Sequence, residues 1–168
     1  MRIFSGFKGP MLNWPRVEAV RDVPEVLEEL HKTWKLCVAT NASDSYEEEI
    51  WGALRRVGLN QFLDKVYCSR IIGHRKPSRE FFEHILNDLG VNRSRVIMVG
   101  DDFESDVLGA VECRIHAIWF NEHSRESKIG EMFRTIHNFK SLPRALDSFR
   151  TRSRIMRQES HLPCTFVR

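Results

Sequence analysis

The sequence has no hydrophobic run long enough to cross a membrane. No apolar stretch reaches the roughly 18 residues that a spanning helix needs, and no charged start followed by an apolar segment resembles a secretory signal. The 168 residues are 42% hydrophobic and 29% charged, values typical of one globular domain with a sizeable core. We therefore expect a cytoplasmic protein that has no membrane partner.

The short cysteine and histidine motifs of zinc sites are also missing. The four cysteines form no Cys-x-x-Cys pair, and the seven histidines form no His-x-x-x-His pair, which excludes the common zinc-binding patterns. Cys37 and Cys68 lie within apolar runs, and Cys113 precedes one. We expect buried, reduced thiols of the kind found in cytosolic proteins.

The central part of the chain has no excess of basic residues. The net charge is +3, but residues 150–168 hold five arginines against one glutamate, or +4, so the other 149 residues carry −1. Nucleic-acid-binding domains usually carry their basic excess on a folded face. We therefore expect no nucleic acid to bind the core, and we interpret residues 151–168 as a basic, flexible tail.

Strand and helix patterns alternate along the middle of the chain. Short apolar runs predict strands, and residues spaced three or four apart predict amphipathic helices. The predicted strands cover 36–40, 65–69, 95–99 and 115–120, and the predicted helices cover 24–32, 43–57, 77–89, 104–112 and 141–149. This alternation predicts an α/β, three-layer Rossmann-like fold, in which a parallel sheet has helices on both faces.

Polar residues follow three of these predicted elements at strand ends or helix starts. The carboxyl ends of parallel strands meet at one edge of a sheet, where ligands bind in open α/β folds. Carboxylates suit Mg²⁺, whereas hydroxyl and ammonium groups bind phosphate oxygens. Taken singly, the same residues also fit a turn, a solvated lysine and a helix cap. Together they predict a magnesium and phosphate site made of Thr40, Asn41, Lys76, Asp101, Asp102 and Asp106.

Four segments resemble the haloacid dehalogenase superfamily of hydrolases, phosphatase type. The segments 36–43, 76–82 and 96–110 match the second, third and fourth motifs of that superfamily in order, and 115–121 resembles its next strand. The most specific element is Gly-Asp-x-x-x-x-Asp followed by Gly-Ala. The resemblance covers residues 17–150 and implies a HAD-like core that acts on a small phosphorylated substrate with Mg²⁺.

The resemblance also implies a role for each matched residue. Thr40 would hydrogen-bond the transferring phosphoryl group, with Asn41 beside it, and Lys76 would neutralise the nucleophile and the phosphate. Asp101 would ligate Mg²⁺, and Asp102 would assist the metal directly or through water. The remaining carboxylate, Asp106, would orient either the metal shell or Lys76.

The sequence departs from the superfamily at the first motif. That motif ends a strand in Asp-x-Asp and supplies the nucleophile that becomes an aspartyl-phosphate, but no two aspartates here are separated by a single residue. The corresponding strand lies between those ending at Thr40 and Val99, so the resemblance implies a sheet that is missing its first, central strand. An incomplete sheet would also favour self-association.

Three interpretations of the missing motif stay open. The chain could be an N-terminally incomplete phosphohydrolase with residues 1–16 left from a cap insertion, a non-catalytic remnant that binds phosphate or a partner, or one half of a site completed by a second chain. A phospho-receiver domain also combines acidic residues, a threonine and a lysine, but would require a permuted order. Whether the chain is an enzyme, and what its substrate is, stays undecided at this point.

Overall fold

The structure is a computed structural model that describes residues 9–153 and 164–167. These described residues form six strands and six helices, which are joined by turns and short 3₁₀ segments. The strands are β1 Lys35–Thr40, β2 Lys65–Cys68, β3 Val96–Gly100, β4 His116–Phe120, β5 Phe133–Ile136 and β6 Cys164–Val167. The helices are α1 Val23–Leu30, α2 Glu47–Arg56, α3 Ser69–Ile72, α4 Arg79–Leu89, α5 Gly109–Glu112 and α6 Leu142–Ser153, and a π-helix, Phe103–Leu108, leads directly into α5.

All neighbouring strands pair in parallel in one sheet of order β2-β1-β6-β3-β4-β5. Successive side chains of a strand point to opposite faces, and β1 shows this clearly. Leu36 and Val38 pack in one hydrophobic cluster with α1, α2 and α6, whereas Cys37 and Ala39 pack in a second cluster with α4. Helices therefore cover both faces, and the predicted α/β three-layer fold is confirmed.

The most informative difference from the sequence-based expectation is the strand at the centre of the sheet. The gap expected between β1 and β3 is filled by β6, in which Val167 is paired with Val38 on one side and with Val99 on the other. Thr165 is fully buried and donates a hydrogen bond from Oγ1 to the carbonyl of Ile97 at 3.0 Å. Neighbouring strands lie about 4.8 Å apart. β1 and β3 are therefore two strand spacings apart, and they belong to one sheet only because β6 pairs with both.

Residues 164–167 thus form a central strand where the sequence suggested a flexible tail. A four-residue strand beyond an arginine-rich segment is too short to be recognised by periodicity. Unpaired N–H and C=O groups in the middle of a buried sheet are costly, which gives the physical reason for its insertion. Residues 154–163 and 168 of the predicted tail lie outside the described residues.

The beginning of the chain also differs from expectation. The helix predicted at 43–57 begins later, at Glu47, where the Glu49 carboxylate accepts a hydrogen bond from the Tyr46 backbone N–H at 2.7 Å. The Ser45 hydroxyl accepts a hydrogen bond from the N–H of Met11 at 2.9 Å. Residues 9–16 therefore pack beside α2, and 1–8 of the proposed cap remnant lie outside the described residues.

One further strand was not expected. β5 lies at the edge of the sheet, pairs with β4, and falls between the predicted strand at 115–120 and the predicted helix at 141–149. Three of its four residues are half-buried, so its apolar alternation is weak. Among the described helices, none is both long and apolar enough to span a membrane.

We predict that Cys164 resists alkylation in the folded protein. It is buried in β6, and burial raises the pKa of its thiol, so little thiolate is available to react. Iodoacetamide labelling followed by peptide mass spectrometry should modify Cys164 as slowly as Cys37, whose pKa burial raises to about 12. Both should react fully in denaturant, and fast labelling of Cys164 alone in the native protein would contradict the central position of β6.

Candidate functional site

The carboxyl end of β1 is fixed to the segment that precedes α4. Asn41 accepts a hydrogen bond from the Lys76 backbone N–H at 2.8 Å and donates one from Nδ2 to the Lys76 carbonyl at 3.0 Å. Thr40, the last residue of β1, is buried, and its hydroxyl accepts a hydrogen bond from the N–H of Ala42 at 3.3 Å. Two of the three predicted motifs therefore meet at one edge of the sheet.

A buried ion pair brings the third motif to the same place. The Lys76 ammonium lies 2.7 Å from Oδ1 of Asp106 and donates a hydrogen bond to the carbonyl of Ala39 at 2.5 Å. The side chains of Lys76 and Asp106 are both 0% exposed. A buried charge is tolerated only when it is paired and hydrogen-bonded. This pair therefore ties the end of β1 and the segment before α4 to the π-helix after β3.

Two glycines make this close approach possible. A Cβ atom at Gly100 would overlap the side chain of Asp106, and a Cβ atom at Gly109 would lie 2.7 Å from Cβ of Pro77. Neither glycine has a positive φ angle, so the absence of a side chain is what these positions require. The Gly-Asp-x-x-x-x-Asp-x-x-Gly pattern thus corresponds to a packing arrangement around Asp106 and Pro77.

The two remaining carboxylates are exposed at the start of the π-helix. Oδ1 of Asp102 accepts a hydrogen bond from the N–H of Ser105 at 2.8 Å, and the Asp102 N–H donates to Oδ2 of Asp106 at 3.2 Å. The Asp101 carbonyl accepts a hydrogen bond from the indole N–H of Trp119 at 2.9 Å. The described contacts thus assign Asp102 to helix capping and place Asp101 next to β4.

These carboxylates do not form a complete magnesium site by themselves. Among the described residues, no group of three or more His, Cys, Asp or Glu side chains is placed to hold a metal ion. The carboxylate of Asp106 is ion-paired with Lys76, which is the second of the two roles expected for it. The residues present therefore do not fit Mg²⁺ without oxygen ligands from elsewhere.

A cavity of about 860 Å³ opens beside this arrangement. Of the predicted site residues, Asn41, Lys76 and Asp102 line it, whereas Thr40, Asp101 and Asp106 do not. Seven residues that the sequence analysis missed line it as well, among them Arg75, Ser78 and Arg79. These three flank the predicted lysine, but they carry no strand-end pattern that could have identified them.

A second cavity, of about 580 Å³, lies at the carboxyl ends of β4 and β5. It contains none of the predicted site residues and is lined by Glu122, His123, Ser124, Arg125 and His137. The His137 ring lies 2.7 Å from the Ser127 hydroxyl through Nε2 and 2.8 Å from the Asn121 carbonyl through Nδ1. These contacts hold the 121–130 loop against the end of β5.

The chain belongs to the haloacid dehalogenase-like hydrolase family, because the model of that family matches residues 3–120. Its match to a solved structure of an uncharacterised Listeria monocytogenes protein has a TM-score of 0.75 at 27% identity and covers 84% of this chain and 86% of that one.

Curated relatives include characterised phosphatases. Pyrimidine 5'-nucleotidase YjjG of Escherichia coli is 35% identical over 97 residues, which cover 57% of this chain and 42% of the relative. Ribulose-1,5-bisphosphate 5-phosphatase of Halopiger xanaduensis is 33% identical over 113 residues, which cover 67% and 46%. The chain thus spans less than half the length of these relatives.

Another solved neighbour is the putative HAD-hydrolase YfnB of Bacillus subtilis, whose structure is described as bound to magnesium. It has a TM-score of 0.67 at 20% identity and covers 76% of this chain and 55% of that one. At this identity the comparison supports the shared fold.

We predict that Lys76→Met lowers the free energy of unfolding by about 3–5 kcal/mol, because it leaves the Asp106 carboxylate buried without its counter-charge. Urea unfolding measures the loss. The double variant Lys76→Met with Asp106→Leu should recover a large part of it, since both charges are then removed.

The matched control is Lys140→Met, which breaks the exposed ion pair between Lys140 and Asp22 (3.3 Å). That variant should lose less than about 1 kcal/mol. Equal losses in the Lys76→Met and Lys140→Met variants would show that the buried pair does not hold this edge together.

Proposed function

We propose that the chain carries the phosphate-binding residues of a HAD-like, Mg²⁺-dependent phosphohydrolase that acts on a small phosphate ester, and that it has no nucleophile of its own. The observation that carries the proposal is the convergence of Thr40, Lys76 and Asp106 at one edge of the sheet. The curated relatives, a nucleotidase and a sugar-bisphosphate phosphatase by name, support a small phosphorylated substrate.

In this proposal, Thr40 and Asn41 bind phosphate oxygens at the end of β1. The Thr40 hydroxyl can donate a hydrogen bond in addition to the one it accepts from Ala42. Lys76 contributes a fixed positive charge beneath the same edge. Its ion pair with Asp106 holds the segment before α4 next to the π-helix. Charge and oriented donors at a fixed position are the usual means of stabilising a phosphoryl group.

Magnesium enters the proposal as the cofactor of the family. The candidate metal ligands are the carboxylates of Asp101, Asp102 and Asp106, of which Asp101 is the one proposed as a direct ligand. A hard cation of this kind takes oxygen ligands in octahedral geometry, so the set needs further oxygens beyond these side chains. In the superfamily, the Asp-x-Asp motif lies next to these carboxylates. Without that motif, the proposed metal site has too few oxygen ligands.

A non-catalytic protein that binds phosphate or a partner is the second candidate, and one observation favours it. The central position between β1 and β3 is taken by β6, whose residues Cys-Thr-Phe-Val contain no carboxylate. A strand that fills the sheet without supplying a nucleophile would maintain the fold and the phosphate-binding residues while leaving out the chemistry.

We predict that orthophosphate binds the chain and that Thr40→Val weakens binding by about tenfold, the effect of losing one hydrogen bond to a charged group. Isothermal titration calorimetry measures the two dissociation constants. Thr33→Val, which makes the same change at an exposed position before β1, is the control and should bind like the parent. Absence of phosphate binding in the parent would contradict the proposal.

We predict no turnover of an aryl phosphate above the blank, with or without Mg²⁺, because the chain has no Asp-x-Asp pair. Turnover that disappears in Asp101→Asn would instead show that another residue serves as nucleophile. To separate the two candidate functions, the reading frame upstream of the Met1 codon can be sequenced. An in-frame strand ending in Asp-x-Asp favours the incomplete enzyme, and a stop codon favours the non-catalytic protein.

A further inference from the structure

The cavity beside the candidate site has an uneven distribution of charge along the chain. Its basic residues, Arg75, Lys76 and Arg79, lie at or just before the start of α4, and its acidic residues, Asp102, Glu104 and Glu112, lie in the segment after β3. A ligand that enters this cavity therefore contacts positive charge near the start of α4 and carboxylate acceptors in the segment after β3.

The buried lysine is not the cation that such a ligand would touch first. The Lys76 side chain is 0% exposed and is paired with Asp106, whereas Arg75 is exposed. Arg79 is partly engaged, since its Nε lies 3.5 Å from Oε1 of Glu83. Within residues 9–153 and 164–167, the Arg75 side chain has no hydrogen bond or ion pair. Its guanidinium is thus the cation of this cavity that has no partner in the described part of the chain.

The backbone at Arg75 is held in place on both sides. Its carbonyl accepts a hydrogen bond from the N–H of Ser78 at 2.8 Å, and the next residue, Lys76, is clamped by the two hydrogen bonds of Asn41. The guanidinium therefore extends from a fixed point one residue away from the proposed phosphate-binding lysine. A planar guanidinium presents paired donors that match phosphate and carboxylate oxygens.

We infer that Arg75 binds a second anionic group of the substrate, so that the preferred ligands are small phosphate esters that carry another phosphate or a carboxylate. This inference rests on the proposed function, because it places the first phosphate at Thr40 and Asn41. The carboxylates of Asp102, Glu104 and Glu112 accept hydrogen bonds from hydroxyl groups. A sugar-like body between the two anions suits this combination.

We predict that fructose 1,6-bisphosphate binds the chain about two- to fivefold more tightly than fructose 6-phosphate, as expected for one additional exposed ion pair. Calorimetry on the full chain measures both dissociation constants. Arg75→Gln should reduce the difference, because it weakens the binding of fructose 1,6-bisphosphate more than that of fructose 6-phosphate. Comparing 6-phosphogluconate with glucose 6-phosphate shows whether a carboxylate serves as well as a phosphate.

Arg144→Gln, an equal change of charge at an exposed position of α6, is the matched control and should keep the preference. If the mono- and bisphosphates bind equally, or if Arg144→Gln lowers the preference as much as Arg75→Gln does, the role of Arg75 is overturned and the proposed function stands. If neither the monophosphates nor orthophosphate bind, the proposed function itself has failed, and the inference fails with it.

Discussion

The candidate site depends on the buried ion pair between Lys76 and Asp106. These residues belong to segments that are separated in sequence by a whole helix and a strand, yet their charged atoms lie 2.7 Å apart with no exposure to solvent. Each charge would be strongly disfavoured in this environment without the other. The pair therefore fixes the relative position of the α4 segment and the π-helix, and the Lys76 hydrogen bond to Ala39 adds the end of β1.

This arrangement also requires a continuous sheet beneath it. Through Lys76, which also donates a hydrogen bond to Ala39, the ion pair connects the end of β1 to the segment after β3, and β6 is the strand that pairs with both β1 and β3. Val38 and Val99 are held at the same level by their common neighbour, Val167, so the polar residues that follow them emerge at one edge. The position between β1 and β3 is thus filled by a strand from residues 164–167, which keeps β1 and β3 in one sheet.

Much of the fold could be predicted because its patterns are strong. The strand at 96–99 is continuously apolar, and α4 has Phe81, Phe82, Ile85 and Leu86 on its buried face, so both were recognised within two residues. β5 and β6 were missed although β2, which is equally short, was predicted. β5 alternates polar and apolar residues only weakly, and β6 follows an arginine-rich segment, so both strands are specified by the neighbours that need hydrogen-bond partners rather than by their own periodicity.

The site could be predicted only in part. The order of Thr40, Lys76 and Asp106 in the sequence, and their positions at predicted strand ends or helix starts, were enough to predict that they lie at one edge of the sheet. The exposure of Arg75 is a tertiary property that no spacing in the sequence encodes. The contact between Arg79 and Glu83, in contrast, is an i, i+4 pair of α4, a spacing that the sequence does contain. The predicted magnesium ligands illustrate the same limit: the Asp106 carboxylate is in an ion pair, the Asp102 carboxylate caps a helix, and Asp101 contacts Trp119 through its backbone carbonyl.

The most direct test of the central claim is a ¹H–¹⁵N NMR titration of the chain with orthophosphate. The account predicts that the backbone amides of Asn41, Ala42, Lys76 and Asp102 shift together and fit one dissociation constant, since they surround one phosphate position. Shifts confined to Glu122–His137 around the second cavity, or separate dissociation constants for Asn41 and Asp102, would show that the three segments do not form a common site.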